Sequence, residues 1–238
     1  MHASERVLSI AANVARVQER IRQAAQRAGR DPASVRLVAA SKTVEVARIR
    51  AAVAAGVRIV GENYVQEARR KIGQLGRTTV EWHLIGTLQR NKVRYVFDLF
   101  DMIHSVDSVL LAEELNRRAA RLGRTMPVLL EVNLAGEATK SGFRPHDLPA
   151  ALERLAGLTH VQVRGLMTIP PPTPTAEEAR PFFRALRELR DQLQRQSGGE
   201  LELAELSMGM TADFEVAIEE GATLVRIGTA IFGPRPGG

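Results

Sequence analysis

Residues 35–86 read VRLVAASKTVEVARIRAAVAAGVRIVGENYVQEARRKIGQLGRTTVEWHLIG. Three short runs rich in Val, Ile and Leu stand out: VRLVAAS (35–41), VRIVGE (57–62) and VEWHLIG (80–86). The stretches between them, about 44–55 and 63–75, space their apolar residues at three and four, the period of an amphipathic helix. Strands joined through a helix run parallel, because the helix returns the chain across the sheet before the next strand begins.

The alternation continues outward to the C-terminus. Further strand-like runs are MIHSV (102–106), PVLLEVNL (127–134), VQVRGLMTI (161–169), LAELSMG (203–209) and LVRIGTAIF (224–232). Helices are expected at 89–98, 108–122, 146–156, 176–196 and 211–220. Eight such units favour a closed (β/α)8 TIM-type barrel over an open doubly wound sheet, which more often has five or six strands. Upstream, Val7, Ile10, Val14, Val17, Ile21, Ala24 and Ala28 form one apolar stripe, which predicts an extra N-terminal helix ended by Gly29 and the Asp31-Pro32 pair. The 238 residues fit one barrel domain spanning 1–238, with no second domain expected after the GPRPGG tail. PPPTPT at 170–175 predicts a stiff loop.

Composition narrows the function classes. Apolar residues make up 45% and charged residues 25%, as in an ordinary globular protein. No apolar run approaches the ~20 residues of a membrane span, and the charged, amphipathic N-terminus is not a secretory signal. The absence of cysteine excludes disulfides, thiolate chemistry and cysteine-ligated zinc, and is compatible with the cytoplasm. Net charge is +6, but the 29 arginines are interleaved with Glu and Asp and have no accompanying stripe of aromatics, so nucleic acid is not an expected partner. The five histidines, His2, His83, His104, His146 and His160, form no HxH or HExxH pair; His83 and His104 are expected as satisfied core residues rather than metal ligands. No P-loop, GxSxG or GxGxxG is present.

Active sites of parallel barrels lie at the C-terminal ends of the strands. Only a lysine amine forms an imine with a carbonyl cofactor, so the four lysines are the residues to weigh. Lys42 ends the first run, on one face with Val38 and Ala40, where it serves either as a nucleophile at the barrel mouth or as an ion-pair residue. Lys71 and Lys92 fall within helical patterns and are expected in solvent, while Lys140 sits in the loop after the fifth strand, on the mouth side. SMGMT (207–211) and RIGTAIFG (226–233) follow strands 7 and 8, where barrels often bind phosphate. Ser207, Thr211 and Thr229 offer hydroxyls there, and Gly209 and Gly228 permit close backbone approach; the plainer reading is two tight turns. Arg226 faces the same way as Gly228 and needs an acceptor, either a ligand or Glu131.

Taken in order, SKT (41–43), GENYVQE (61–67), HLIGTLQRNK (83–92), HSVDS (104–108), VNLAGEATKSGF (132–143), RGLMTIP (164–170), LSMGM with Asp213, and VRIGTAIFG (225–233) resemble the pyridoxal phosphate homeostasis protein family, itself similar to the barrel domain of alanine racemase. The resemblance implies pyridoxal 5′-phosphate as cofactor, with Lys42 as the Schiff-base lysine. It implies phosphate binding by Ser207 and the Gly228-Thr229 turn with Met208 beside it, Arg226 against the pyridine nitrogen, and Asn63 as a pocket residue. An always-protonated arginine leaves that nitrogen unprotonated, whereas demanding carbanion chemistry usually places an acid there. The expected function is therefore intracellular pyridoxal phosphate homeostasis without robust turnover, with apo-enzymes as possible acceptors of the cofactor. Alternatives are a weak amino-acid racemase and an aldolase-like barrel that uses Lys42 on a sugar phosphate. A monomer is expected, with a dimer as the alternative.

Overall fold

The computed structural model describes residues 2–137, 139–198 and 201–234, with side chains from Ile10 onward. Val7 of the expected stripe and the end of the GPRPGG tail lie outside those side chains and residues. The chain opens with α1 (His2–Arg27). Ile10, Val14, Val17, Ile21 and Ala24 are buried along one face of it, as their spacing requires.

The barrel follows as β1 (Arg36–Ala40), α2 (Val46–Ala54), β2 (Ile59–Glu62), α3 (Val65–Leu75), β3 (Glu81–Leu84), α4 (Val93–Val96), β4 (Met102–Val106), α5 (Val109–Leu122), β5 (Met126–Glu131), α6 (Leu148–Ala156), β6 (Val161–Met167), α7 (Ala176–Gln196), β7 (Glu205–Ser207), α8 (Phe214–Glu219), β8 (Leu224–Ile227) and α9 (Thr229–Phe232). All eight strands are parallel and pair in chain order, and β8 returns to β1 to close the barrel. Two expectations need correction. The last strand-like run does not reach 232: it stops at Ile227, and Thr229–Phe232 coil into α9 after Gly228 leaves the strand conformation. A short apolar run does not separate strand from helix by periodicity. The helix expected at 89–98 is a 3-10 turn, Arg90–Lys92, leading into the single turn of α4.

Alternation along the strands sorts the side chains into two layers. Val38, Ile59, Ile85, Met102, Leu129, Met167 and Leu224 fill the barrel interior together with Ala40. A larger apolar layer lies between the sheet and the helices, with Trp82, Phe97, Phe183 and Phe214 among its largest members. Because α9 is only one turn, α1 covers this side of the barrel and packs against α2, α8 and α9. Asn13 donates to the Ile231 carbonyl at 3.0 Å, and Arg20 forms a two-pronged contact with Glu215 at 3.1 and 2.9 Å.

The β5–β6 register slips by one residue at Arg164, a bulge that re-aims the end of β6. Gly165 follows the bulge, and a Cβ there would lie 1.8 Å from the Glu205 carbonyl oxygen on β7. No side chain fits without moving β7. Gly165→Ala is expected to destabilise the barrel by about 3 kcal/mol or more, read as a fall in the urea midpoint; an unchanged midpoint would show that β7 gives way freely.

Candidate functional site

Lys42 stands in a turn at the end of β1 whose backbone is tied down from below. Ser41 is fully buried; its N–H donates to the Gly61 carbonyl at 2.9 Å, and its hydroxyl donates to the Glu62 carboxylate. Lys71 reaches up from α3 and donates to the Ser41 carbonyl at 2.5 Å, with Glu62 at 2.6 Å and Glu67 at 2.8 Å completing its shell. On the other side of Lys42, Thr43 holds a left-handed backbone at φ 64, and its N–H donates to Glu67 at 2.7 Å. An L-residue in that region is strained, and the carboxylate offsets the strain with a charge-assisted hydrogen bond. Burial pushes the Glu62 carboxyl up, against the pull of the Lys71 ammonium and the Ser41 hydroxyl.

This arrangement corrects the expectation of a solvated Lys71, which is completely buried. The signal was present in the sequence. Val65, Ala68, Ile72 and Leu75 form the buried face of α3, position 71 falls on it, and Glu67 precedes Lys71 by one turn.

Lys42 itself is half-buried, its Nζ 5.2 Å from the centre of the Tyr64 ring. Tyr64 caps α3 at the rim of the mouth and is 53% exposed. Reading it as part of a helical stretch missed its contact with the lysine. Next to it, the Asn63 backbone packs so closely on Gly86 that a Cβ at Gly86 would lie 2.4 Å from the Asn63 carbonyl oxygen. Lys140 lies on the far side of the mouth and pairs with Glu137 at 2.8 Å.

On the opposite wall, Arg226 projects from β8 into the barrel and is only 4% exposed. It makes no ion pair with Glu131. Instead Nη1 donates to the Ser207 hydroxyl at 2.5 Å and Nη2 to the Thr168 carbonyl at 2.9 Å. Burial brings its guanidinium down to about 10, with Asp213 and Glu131 opposing from a distance. Glu131 faces the same space with Oε2 unpartnered, and burial, reinforced by Asp107, pushes its carboxyl up to about 6.

Ser207 points inward from β7, and its hydroxyl is engaged by Arg226 and by His104. Met208, next along the strand, points outward into the apolar layer, and its N–H is held by the Leu224 carbonyl at 3.1 Å. Strand alternation accounts for both. In the Gly228-Thr229 turn, Gly228 caps α9, and a Cβ there would lie 3.0 Å from the Ala40 carbonyl oxygen. Thr211 Oγ1 lies 3.4 Å from the Ala230 N–H, which puts its hydroxyl beside the first N–H groups of α9. The Ile231 and Phe232 N–H groups donate to the Gly228 carbonyl at 3.0 and 2.9 Å, which leaves those of Thr229 and Ala230 at the turn without an acceptor in the helix backbone.

A primary amine, a buried guanidinium and a glycine-lined turn with two hydroxyls therefore face one opening. These residues fit an aldehyde-bearing pyridine phosphate: Lys42 for the aldehyde, Arg226 for the ring nitrogen, and Thr211, Thr229 and the α9 N–H groups for the phosphate. Among the described residues no three His, Asp or Glu side chains gather as metal ligands.

Two measurements test the electrostatics. In the folded protein Glu131 holds its proton up to about 6 rather than the ordinary 4.5, so its contribution to stability is present below about 4.5 and is lost as pH rises through about 6. Glu131→Gln removes the titration, and relative to wild type it should gain roughly 2 kcal/mol between pH 4.5 and 7; a difference that stays constant with pH would contradict the assignment. Lys71→Met leaves Glu62 and Glu67 without their shared cation and should lower unfolding free energy by about 3–5 kcal/mol, measured by urea titration at neutral pH.

The family model for the alanine racemase N-terminal domain matches residues 12–236. A pyridoxal phosphate homeostasis protein of Aquifex aeolicus is 48% identical over 235 residues, 99% of each chain. One from Pseudomonas aeruginosa is 48% identical over 227 residues, covering 95% of this chain and 96% of its own. Among solved structures, PipY of Synechococcus elongatus with PLP bound superposes with a TM-score of 0.80 at 46% identity, covering 91% of this chain and 100% of that one. An alanine racemase of Clostridium difficile, 16% identical with a TM-score of 0.71, shares the fold. With matches that span the barrel from end to end, the chain belongs to the pyridoxal phosphate homeostasis protein family.

Proposed function

We propose that this protein holds pyridoxal 5′-phosphate as a Schiff base on Lys42 and serves intracellular homeostasis of the cofactor rather than robust turnover. The observation that carries this reading is the environment of Arg226. Two neutral acceptors, Ser207 and Thr168, hold a buried guanidinium toward the mouth, and no carboxylate touches it. A guanidinium only donates, so it hydrogen-bonds an unprotonated ring nitrogen and disfavours its protonation. When bound, the cofactor supplies an aldehyde that condenses with amines and a ring that withdraws electrons, the latter most strongly when its nitrogen is protonated. Arg226 weakens that second property and leaves the first intact.

Lys42 offers the amine on a turn fixed by Ser41 and Thr43. Tyr64 covers one side of the amine, and the α9 turn with Thr211 and Thr229 binds the phosphate. Lys71 has its three contacts in the buried cluster and does not compete for the aldehyde. The bound cofactor of PipY supports the same occupant here, and transfer to apo-enzymes follows from a carrier role. One observation favours a second reading, weak amino-acid racemisation: Glu131, unpartnered and titrating at about 6, is a group able to exchange a proton near neutral pH.

Purified protein loaded with pyridoxal phosphate should be yellow, and borohydride reduction should place the label on Lys42. Lys42→Ala should lose both colour and label. A label chiefly on Lys71, Lys92 or Lys140 would overturn the attachment site, and a colourless wild type would favour an aldolase-like use of the lysine. Racemisation of free amino acids by wild type that disappears in Glu131→Gln would favour the enzyme reading over the carrier.

A further inference from the structure

Four polar side chains from four strands meet inside the barrel, His83 from β3, His104 from β4, Ser207 from β7 and Arg226 from β8, and Glu81 of β3 joins them from its base. His83, His104, Ser207 and Arg226 are all buried. His104 Nδ1 lies 2.8 Å from Ser207 Oγ, and His104 Nε2 lies 2.9 Å from His83 Nδ1. His83 Nε2 lies 3.5 Å from Glu81 Oε2, a charge contact longer than a short hydrogen bond. Glu81 is 56% exposed and lines a cavity of about 400 Å³ at the end of the barrel opposite the mouth, together with Arg22, Arg36 and Arg58.

The donor at one end, Arg226, and the carboxylate acceptor at the other, Glu81, together fix the direction of every bond. Arg226 has no acceptor, so it donates to Ser207 Oγ. The Ser207 proton then has one acceptor among its contacts, His104 Nδ1. That choice puts the His104 proton on Nε2, where it donates to His83 Nδ1, and so puts the His83 proton on Nε2, facing the Glu81 carboxylate. Each link directs a lone pair toward Arg226, and links aligned in one sense polarise one another.

A buried guanidinium requires compensating charge; Asp213 and Glu131 act on Arg226 from a distance, and neither touches it. We propose that Glu81, acting through His83, His104 and Ser207, is a further counter-charge that positions Arg226, so that a carboxylate at the base of the barrel adjusts how strongly the guanidinium donates at the mouth. The link to the cofactor rests on the function proposed above; the relay itself does not. Acid, imidazole and hydroxyl in series form the same kind of chain that orients a catalytic serine, here turned toward a cation. The charged groups around it agree with a neutral His104 ring. His104 is faced by His83 and Arg226, with Arg36 further off, and burial together with these groups holds it well below the ordinary histidine range. Contact with His83 lowers the Glu81 carboxyl and keeps it ionised, while Asp101 and Arg36 act on it from further away.

The test uses the full chain with 15N-labelled histidine. At neutral pH, with or without pyridoxal phosphate, His83 and His104 should both resonate as neutral rings protonated on Nε2. Glu81→Gln, a change at an exposed position, should shift the resonances of His83 and of His104 beyond it, and Glu81→Asp should restore much of the wild-type pattern. Either ring protonated on Nδ1, or His104 resonances indifferent to Glu81→Gln, would overturn the relay. With cofactor loaded to equal borohydride-trapped occupancy of Lys42, Glu81→Gln should displace the absorption maximum of the bound cofactor, and an unmoved maximum would overturn the positioning role. Failure to bind pyridoxal phosphate at all would sink the proposed function and leave the histidine measurement to judge the relay.

Discussion

Pairing of β8 back onto β1, with Val38 opposite Arg226 and Ala39 opposite Ile227, closes the ladder on which the site depends. It sets the first and last strands side by side, so that a lysine just past residue 40 and an arginine at 226 share one opening. Among the described residues the same closure leaves no free sheet edge and no unpaired strand in the core. It also fixes the interior layer, since a slip of one residue in any strand would exchange its inward and outward side chains. An inward Ser207 and an outward Met208 follow directly from that register.

The interior is not uniformly apolar, and its polar content is segregated. Val38, Ile59, Met102 and Leu129 belong to its apolar layer, and the His83–His104 pair is buried in the same barrel. Toward the mouth the charged residues appear: Glu131 and Arg226 inside, and the Glu62–Lys71–Glu67 cluster beneath the Lys42 turn. Buried charge of this kind is weak evidence for stability, because desolvation offsets much of the attraction. Its value here is orientation. Lys71 and Glu67 grip the peptides on either side of Lys42 and hold a left-handed Thr43 that the local sequence would not adopt unaided.

Under the proposed function, an amine and a guanidinium held in fixed positions without a strong acid at the ring nitrogen suit retention and release better than bond-breaking at a substrate carbon. Lys42, Arg226 and the one-turn helix capped by Gly228 lie at or near the strand ends, while Tyr64, Ile169 and Met210 stand exposed around the rim.

The sequence alone determined the architecture and the principal residues of the opening. Its eight alternations are local patterns of period two and about 3.6, and local patterns survive without knowledge of partners. They placed Lys42 at the end of the first strand and Arg226 inside the last, two residues before the Gly228-Thr229 turn, and a closed parallel barrel sends all the C-terminal strand ends to one face. What those patterns did not contain is which polar residues meet inside. His104 and Ser207 are 103 positions apart, and Ser41 and Lys71 are 30 apart. Whether a lysine on a helix faces water or a buried glutamate, and whether a serine hydroxyl serves a ligand or an arginine, depends on which strand arrives opposite it. Tertiary pairing alone decided that, because the energy of a buried polar group lies in its partner and not in its own residue type.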